Sequence, residues 1–352
     1  MLLDSNFWRG RRVLLTGHTG FKGSWASVLL NQLGASVVGL ALEPEGETNL
    51  FSAAGVETDV EHHVVDIRDA KAVHDVVSKA EPEVVIHMAA QALVRRSYRD
   101  PAGTFATNVQ GTANLLDAIR ACPATRTTLI VTSDKVYENN EEGRAFTEDD
   151  KLGGHDPYSA SKAAAEIVAK SYRESFFRDL NKNLVTVRGG NVIGGGDFSE
   201  DRIVPDIWRA IAKGEPVALR NPGSVRPWQH VLDCLHGYLA YVQAIETKEA
   251  IPTALNIGPS AQDPVSVKAL TETFFQAIDA EPNIEYETEE QPPEKMLLAI
   301  NPALAQSSLG WRDLFSTKEA VEWTASWYGG FSQGTAAREL VIDQIERFMR
   351  TA

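Results

Sequence analysis

A glycine-spaced loop that directly follows a short apolar segment constrains this chain more than any other feature. Residues 13–16 are apolar up to a threonine, and Gly17, Gly20 and Gly23 then follow at a G-x-x-G-x-x-G spacing. The apolar segment predicts a buried strand, and residues 25–33 have helical spacing. A glycine turn between a strand and a helix lets the backbone approach a pyrophosphate, although an ordinary strand-to-helix turn can look the same.

The alternation of strand and helix patterns continues through the first half of the chain. This context supports a pyrophosphate-binding turn over an ordinary strand-to-helix turn. Strand-like apolar segments lie at 37–42, 64–65, 84–90 and 129–132, and helical patterns lie between them at 70–79 and 104–121. Continuous apolar strands alternating with helices indicate a parallel sheet covered on both faces. The predicted fold class is therefore α/β, with a doubly wound parallel sheet of the Rossmann type.

The pattern changes near residue 190, where glycine and proline become dense. Helical patterns return later, at 205–213, 231–245, 267–277, 317–328 and 339–350. We predict a smaller mixed α/β region that binds substrate. The expected division is a dinucleotide-binding domain at 1–190, to which 228–258 returns, and a substrate domain formed by 191–227 and 259–352.

Charge and cysteine content exclude several classes of protein. The formal net charge is -14 at pH 7, which disfavours nucleic acid as a partner. The two cysteines, Cys122 and Cys234, form neither a disulfide framework nor a metal-ligand spacing and are expected to be buried, inert thiols. No segment reaches the length of a membrane span, and residues 1–12 lack a signal-peptide pattern, so we expect a cytoplasmic protein.

Two acidic residues are candidate contacts to the adenosine part of a dinucleotide. Glu43 follows Gly23 by 20 residues, near the end of the second predicted strand. A carboxylate there can bind ribose hydroxyls and repels a 2′-phosphate, which favours NAD over NADP; the alternative is a surface glutamate in a loop. Asp66 follows the third strand and could contact the adenine amino group or cap the next helix.

A Y-x-x-x-K pair supplies candidate catalytic groups. Tyr158 and Lys162 lie four residues apart at a predicted helix start, so they face the same side of the helix. A lysine ammonium at that distance is expected to lower the pKa of the phenol from about 10 towards neutrality, so that it can take a proton from an alcohol. Ser133, at the end of a predicted strand, would bind the same oxygen. By itself such a pair can also be two surface residues of a helix.

Together these residues resemble the extended short-chain dehydrogenase/reductases over nearly the whole chain. Segments 87–90 (HMAA), 108–112 (NVQGT) and 188–194 (RGGNVIG) are also similar to that family. The resemblance implies NAD as cofactor. The residues that it implies for cofactor binding are Gly17, Thr19, Gly20, Phe21, Lys22, Gly23, Glu43, Asp66, Ile67, Met88, Ala89, Ala90, Asn108, Tyr158 and Lys162.

Within that family, the chain resembles the sugar-nucleotide 4,6-dehydratases. Segment 132–137 (TSDKVY) carries Asp134 and Lys135, whereas most of that group has an acidic pair there. The Asp-Lys pair is typical of the branch that acts on CDP-glucose, as are the glycine loop and the segments 194–197 (GGGD) and 226–231 (RPWQHV). The chain departs from the pattern at Pro293 and Asn301, where the group has a histidine and an aspartate.

The resemblance implies an oxidation at the sugar C4, an elimination of water across C5 and C6, and a return of hydride to C6. Tyr158 would take the proton of the 4-hydroxyl with help from Ser133 and Lys162. Asp134 would protonate the departing 6-hydroxyl if its surroundings raise its pKa. Lys135 would be either the base at C5 or an electrostatic stabiliser of the enolate.

The implied substrate is a small nucleotide sugar, whose diphosphate needs basic partners. Arg202 and Arg226 are expected to bind it, because arginine matches phosphate geometry; either could instead be a solvated surface charge. The residues that the resemblance implies for substrate binding are Gln91, Asn191, Arg202, Leu219, Arg226, Asn256 and Glu294. No metal is expected. The suggested context is deoxysugar biosynthesis for lipopolysaccharide O-antigen.

The oligomeric state and two other functions remain open from the sequence. Apolar stripes on 104–121 (Phe105, Val109, Leu116) and 158–177 (Ala163, Ile167, Tyr172) can simply pack on the sheet. Related enzymes pair these helices, which predicts a homodimer or a dimer of dimers. A 4-epimerase would use Tyr158 and NAD without an acid beside Ser133. A non-catalytic dinucleotide sensor would not need the tyrosine-lysine pair.

Overall fold

A seven-stranded parallel sheet forms the centre of the protein in this computed structural model, which describes residues 3–140, 143–259, 265–286 and 298–351. The sheet runs in the order β11-β6-β5-β4-β1-β2-β3. Its strands are β1 (Arg12–Thr16), β2 (Ser36–Ala41), β3 (Val60–Val64), β4 (Val84–His87), β5 (Thr127–Val131), β6 (Asn183–Gly189) and β11 (Ala254–Ile257). The predicted doubly wound α/β fold is confirmed, because every pairing in this sheet is parallel.

The strand order places a crevice beside β1. The chain winds outward from β1 through β2 to β3 and then crosses back to β4 on the other side of β1. At such a switch point the two connections leave the sheet in opposite directions, and ligands of α/β proteins bind in the gap at the carboxyl ends of the strands. The glycine loop after β1 lies at this edge.

Helices cover both faces of the sheet. They are α1 (Ser5–Trp8), α2 (Phe21–Gln32), α3 (Leu50–Ala53), α4 (Ala70–Ala80), α5 (Val94–Arg99), α6 (Pro101–Phe105), α7 (Gly111–Arg120), α8 (Pro157–Tyr172), α9 (Ile203–Lys213), α10 (Val231–Thr247), α11 (Val267–Ala277), α12 (Ala303–Leu309), α13 (Thr317–Ser332) and α14 (Ala337–Thr351). One apolar core lies between the sheet and α2, α10 and α13, and a second lies between the sheet, α4 and α7. In the part of the chain that the structure describes, no helix is both long and apolar enough to cross a membrane.

Two predicted helices differ from the observed ones. The helix predicted at 104–121 consists of α6, a π-helical turn at Ala106–Gln110, and α7. Helix α2 begins at Phe21, four residues before the predicted start. Its first turn contains Lys22 and Gly23, so apolar spacing could not reveal it.

The second half of the chain adds short strand pairs around the crevice. They are β7 (Asn191–Ile193) with β10 (Trp228–His230), β8 (Val217–Leu219) with β13 (Ile284–Tyr286), and β9 (Val225–Arg226) with β12 (Val265–Ser266). Strand β11 joins the edge of the central sheet beside β6. The C-terminal helix α14 lies against α2, and Arg338 at its start forms an ion pair with Asp59.

Candidate active site

The glycine loop after β1 is shaped by two close approaches. Gly17 has φ +78°, and a Cβ atom there would lie 2.8 Å from the backbone nitrogen of Ala89. A Cβ atom on Gly23 would lie 2.0 Å from the carbonyl oxygen of Gly17. Both positions therefore require glycine, and the loop holds the start of α2 close to the ends of β1 and β4.

The start of α2 has the properties of an anion site. Gly20 is the N-cap residue and supplies no side-chain hydrogen bond, so the first N–H groups of the helix have no cap. A Cβ atom on Gly20 would contact only the Gly17 carbonyl oxygen, at 3.5 Å, which leaves room for a ligand. Open space and uncapped N–H groups fit a pyrophosphate, and Phe21 and Lys22 lie at the first two helical positions.

The outer edge of the crevice carries the predicted adenosine contacts. Glu43 is exposed two residues after β2, and the Thr19 hydroxyl donates to the Leu42 carbonyl at 2.9 Å. Asp66 forms an ion pair with Arg68 at 2.5 Å, which lowers the pKa of the carboxyl. Asp66 does not cap α4.

The cap of α4 is Asp69, whose side chain accepts from the Ala72 N–H at 3.0 Å. The prediction that Asp66 could cap this helix was therefore wrong. A cap at Asp66 requires a helix that starts at residue 67, whereas α4 starts at Ala70. Ile67 is buried, and its side chain fills the space beside Gly111 in α7.

The inner edge of the crevice is fixed by hydrogen bonds after β4. The Thr16 hydroxyl accepts from the N–H groups of Met88, at 3.2 Å, and Ala89, at 3.1 Å. Ala90 follows as a half-buried residue. His87, which sequence reasoning gave no role of its own, lies 2.7 Å from the Thr16 hydroxyl, and burial lowers its pKa to about 3. This neutral imidazole orients Thr16 and thereby the loop.

Asn108 ties this loop to helix α8, which carries Tyr158 and Lys162. Its amide accepts from the Gln91 N–H at 2.8 Å and donates to the Gln91 carbonyl at 3.0 Å and to the Ser161 hydroxyl at 2.8 Å. The Gln91 side chain itself donates to Thr104 and accepts from the Leu93 N–H. In this structure both amides organise protein atoms, and Asn108 is almost fully buried.

The five predicted catalytic residues come together at the end of β5 and the start of α8. Asp156 caps α8 and accepts from the Ser159 N–H at 3.0 Å, which sets the first turn that carries Tyr158. Lys162 lies one turn later and donates to the Val131 carbonyl at 3.2 Å. Both are buried.

The protein alone does not lower the pKa of the phenol as expected. Burial raises the pKa of Tyr158, although a hydrogen bond with Ser133 counteracts part of that effect. Burial, with the nearby charge of Lys22, lowers the pKa of Lys162 to about 7. The expected lowering was wrong here because burial disfavours both the phenolate and the ammonium ion.

Asp134 is a buried carboxyl group with an unused oxygen. It is 2% exposed, and its Oδ1 accepts from the Ser133 hydroxyl at 3.1 Å. Its Oδ2 has no hydrogen-bond partner among the described residues and lies on the side of Gly190, where a Cβ atom would be 3.5 Å away. Burial raises the pKa of Asp134 despite the opposing charges of Lys135, Arg226 and Lys22. Half-buried Lys135 is the next residue.

Lys22 has a position that the glycine-loop pattern did not reveal. Its ammonium lies 5.7 Å from the centroid of the Tyr238 ring. Burial lowers its pKa, whereas the charges of Asp134 and Asp197 raise it. The available signal was a lysine in the first turn of a helix, where the helix dipole disfavours a cation. The charge of Lys22 thus bears on both Asp134 and Lys162.

The residues predicted to bind substrate differ in their location and burial. Arg202 precedes α9 and pairs with Asp197 at 3.2 Å, and Arg226 is buried near Asp134. Asn191 in β7 is half-buried, and Leu219 in β8 is buried. Glu294 and Pro293 lie outside the described residues.

Asn256 is fully buried and its amide is used by the protein. Its Oδ1 accepts from the Tyr137 hydroxyl at 2.6 Å, and its Nδ2 donates to the carbonyls of Phe146, at 3.0 Å, and Asn301, at 3.3 Å. Both amide atoms of Asn256 have protein partners, and the second lone pair of Oδ1 is the acceptor position left for the nucleotide contact that the resemblance implies.

A second buried ionic group lies beneath the site and was missed by sequence reasoning. Glu166 in α8 accepts from the hydroxyls of Thr132, at 2.6 Å, and Thr186, at 2.7 Å. Arg188 in β6 donates to both oxygens of Glu166 at 3.1 Å and to the Tyr137 hydroxyl at 2.8 Å. The available signals in the sequence were Glu166, four residues beyond Lys162, and Arg188, a charged residue within an apolar strand.

A family model and a curated relative both relate this chain to sugar-nucleotide 4,6-dehydratases. Residues 14–324 match the family model described as GDP-mannose 4,6 dehydratase. The chain is 39% identical to a CDP-glucose 4,6-dehydratase from Salmonella typhimurium over 99% of this chain and 100% of that one. Both matches extend through both halves of the fold.

Solved structures share the fold. The dTDP-glucose 4,6-dehydratase of Bacillus anthracis, solved in complex with NAD, has a TM-score of 0.76 at 21% identity and covers 92% of this chain and 98% of that one. A UDP-glucuronic acid 4-epimerase from Bacillus cereus, in complex with UDP-glucuronic acid and NAD, has a TM-score of 0.77 at 21% identity. It covers 91% of this chain and 99% of that one. The chain belongs to the GDP-mannose 4,6 dehydratase family of extended short-chain dehydrogenase/reductases.

Proposed function

We propose that this chain is an NAD-dependent hydro-lyase that converts CDP-glucose to CDP-4-keto-6-deoxyglucose. The observation that carries the proposal is Asp134, a buried carboxyl group with a raised pKa beside Ser133 and Tyr158. An elimination of water needs such an acid, whereas a 4-epimerisation does not. The relative at 39% identity, itself named a CDP-glucose 4,6-dehydratase, supports the same substrate.

The crevice fits a dinucleotide. Gly20 and the start of α2 would hold the pyrophosphate, exposed Glu43 the adenosine ribose, and Ala89 with Ala90 would lie near the nicotinamide. NAD, when bound, supplies the acceptor for hydride from C4 and the donor that returns it to C6. Gly20→Ala should weaken NAD binding without preventing folding, because the added Cβ enters open space. Isothermal titration with NAD tests this directly.

Tyr158 would remove the proton of the 4-hydroxyl. Burial raises its pKa, so the phenolate needs positive charge at the moment of transfer. Lys162, whose pKa is about 7, can supply that charge in its protonated form. The Ser133 hydroxyl would hold the sugar oxygen beside the phenol.

Asp134 would donate its proton to the departing 6-hydroxyl. A carboxyl with a raised pKa remains protonated at higher pH than an ordinary aspartic acid and can act as a general acid. Lys135, half-buried beside it, would take the C5 proton or stabilise the enolate by its charge. Arg202 and Arg226 would bind the diphosphate, and Asn191 and Gln91 would contribute to substrate binding.

The product test uses four sugar nucleotides: CDP-glucose, UDP-glucose, dTDP-glucose and GDP-mannose. We expect loss of water from CDP-glucose alone, with no net NADH, when products are identified by mass. An unchanged mass with an altered sugar configuration would support the epimerase instead. A dinucleotide sensor would show neither product nor any absorbance change of bound NAD.

We further propose a homodimer or dimer of dimers through α6, α7 and α8. Phe105 is 40% exposed and Ile167 is 60% exposed on these helices, although they are large and apolar. Leu116 and Ala163, which the sequence placed in the same stripes, are buried in the protein itself. Ile167→Glu should lower the mass measured by light scattering, and an unchanged mass would contradict this interface.

The proposed setting is the cytoplasm, with the keto product entering deoxysugar biosynthesis for lipopolysaccharide O-antigen. Cell fractionation tests the location, and the O-antigen sugars of a deletion strain test the pathway. Normal O-antigen sugars in that strain would contradict the assignment.

A further inference from the structure

His18, inside the glycine loop, is directed into the protein and not towards solvent. Its side chain is 0% exposed, and its ring lies against Gly39 in the middle of β2. A Cβ atom on Gly39 would lie 2.5 Å from Cδ2 of His18. Glycine weakens the interior of a strand and often marks a close approach by another group. Gly39 therefore makes room for the His18 imidazole over the central sheet.

The buried His18 ring meets a second imidazole, which comes from β3. Nε2 of His18 lies 2.6 Å from Nδ1 of His62, and His62 is beside Gly39 in the parallel pairing of β2 with β3. Phe51 in α3 packs against both rings, with its centroid 5.5 Å from that of His18 and 5.1 Å from that of His62. His62 is half-buried. The glycine loop is thus bonded to the outermost strand of the sheet through two side chains.

The ionisation of His18 is compatible with this hydrogen bond. An N–H···N bond needs one ring to donate and the other to accept, so at least one of the two imidazoles is neutral. Burial, and then the charge of His62, lowers the pKa of His18 to about 4, and His63 acts in the same direction. His18 is therefore neutral near pH 7 and can bond to His62 whether that ring is neutral or charged.

The backbone of His18 forms part of the turn that leads into α2. Its carbonyl accepts from the Ser24 hydroxyl at 3.3 Å, and a Cβ atom on Gly23 would lie 2.6 Å from its Cα atom. Gly20, two residues further along the chain, is the N-cap of α2. Contacts this close transmit a shift of His18 to the first N–H groups of the helix, because a packed interior does not absorb it.

We propose that His62 is a positioning residue for the cofactor: its hydrogen bond to His18 holds the glycine loop in the shape that receives the pyrophosphate of NAD. The role requires no contact between His62 and the cofactor, because it acts through the loop. None of the cofactor residues that the family resemblance implies lies in β3. The inference rests on the pyrophosphate site proposed above and not on the sugar nucleotide, so its failure would leave the dehydratase reaction untouched.

The experiment measures how fast NAD leaves the full-length protein. Wild type, His62→Leu, His62→Asn and His63→Leu are loaded with NAD. Released NAD is captured by excess alcohol dehydrogenase and ethanol, and the absorbance of NADH is the readout. His62→Leu cannot bond to His18, so release should be about 10-fold faster than from wild type. The amide of His62→Asn lies close to the position of Nδ1 and should keep release near the wild-type rate.

His63→Leu is the matched control. His63 is the next residue in β3, and its ring is hydrogen-bonded to Glu61 at 2.9 Å, so its loss should leave NAD release unchanged. Melting temperatures are measured in parallel. A purely structural role would lower the melting temperature of His62→Leu without changing NAD release at temperatures well below it.

Release at the wild-type rate from folded His62→Leu would overturn the proposal, whatever its melting temperature. Equally fast release from His62→Asn and His62→Leu would overturn the hydrogen bond as the cause. If His62→Leu does not fold, the imidazole NMR signals of His62 in wild type provide the test. They should shift when NAD is removed, and unchanged signals would contradict the coupling. A wild type that binds no NAD would instead overturn the pyrophosphate site itself.

Discussion

Two buried carboxyl groups, Glu166 and Asp134, have opposite surroundings in this protein. Glu166 accepts hydrogen bonds on both oxygens, from Thr132, Thr186 and Arg188. Asp134 accepts one hydrogen bond, from Ser133, and its second oxygen has no partner among the described residues. Exposure does not distinguish them, since Asp134 is 2% exposed and Glu166 is 4% exposed.

The difference distinguishes a structural ion pair from the carboxyl group that we propose as the catalytic acid. Burial lowers the pKa of Arg188, but hydrogen bonding to Glu166 and its charge more than offset this, so the pKa of Arg188 is raised. Burial raises the pKa of Asp134, so that group keeps its proton to higher pH than an exposed aspartic acid does. A buried polar atom without a partner is costly and rare in proteins, and it points to a ligand or to chemistry.

The sharpest test of this comparison is Asp134→Asn. The amide has nearly the same shape but cannot act as the acid, so kcat should fall by about 10²–10⁴-fold. Folding should be preserved. Product formation from CDP-glucose and thermal unfolding check the two statements. Near-normal activity in Asp134→Asn would show that another group protonates the leaving hydroxyl.

Glu166→Gln is the matched control and should behave in the opposite way. Loss of the charge leaves Arg188 buried and unpaired, which is expected to cost about 3–5 kcal/mol of stability. At temperatures where the variant is folded, kcat should change far less than in Asp134→Asn. Urea unfolding measures the loss. A double variant with Arg188→Met should recover much of it, and failure to do so would contradict the ion-pair interpretation.

Tyr137→Phe tests the outer part of the Glu166 group. The Tyr137 hydroxyl accepts from Arg188 and donates to Asn256 at 2.6 Å, so its removal leaves two buried groups short of one partner each. We expect a loss of about 1–3 kcal/mol in urea unfolding. No change in stability would mean that water or a small shift replaces the hydroxyl.

The pH dependence of stability should also distinguish Asp134→Asn from wild type. The folded protein keeps the Asp134 proton to higher pH than the unfolded chain, whose aspartate has a pKa of about 3.9. That contribution to stability is full below about pH 4 and is lost as the pH rises through the folded-state value. Asp134→Asn should therefore be more stable than wild type at pH 7, with a difference that shrinks towards pH 4.

Melting temperatures across that range provide the measurement, with the exposed Asp179→Asn as the control. A constant difference between Asp134→Asn and wild type at every pH would show that folding leaves the pKa of Asp134 unchanged, which would contradict the raised value.

The sequence by itself determined the sheet and the glycine loop, and it supplied the five residues that we propose as catalytic. Those features depend on local chemistry: apolar strands, glycines where a Cβ atom would clash, and a capped helix start that carries Tyr158 and Lys162. Such signals lie within a few residues of one another, so spacing along the chain reveals them.

Only the tertiary structure decided which polar groups are satisfied. Glu166 obtains its partners from β5 and β6, and Asn256 uses its amide on Phe146 and Asn301, which are distant in sequence. Lys22 reaches Tyr238 and the charge of Asp134 in the same way. Hydrogen bonding and burial depend on distances across the fold, and these set the pKa of Asp134 and Lys162. The residue types were evident from the sequence, but their protonation states required the three-dimensional arrangement.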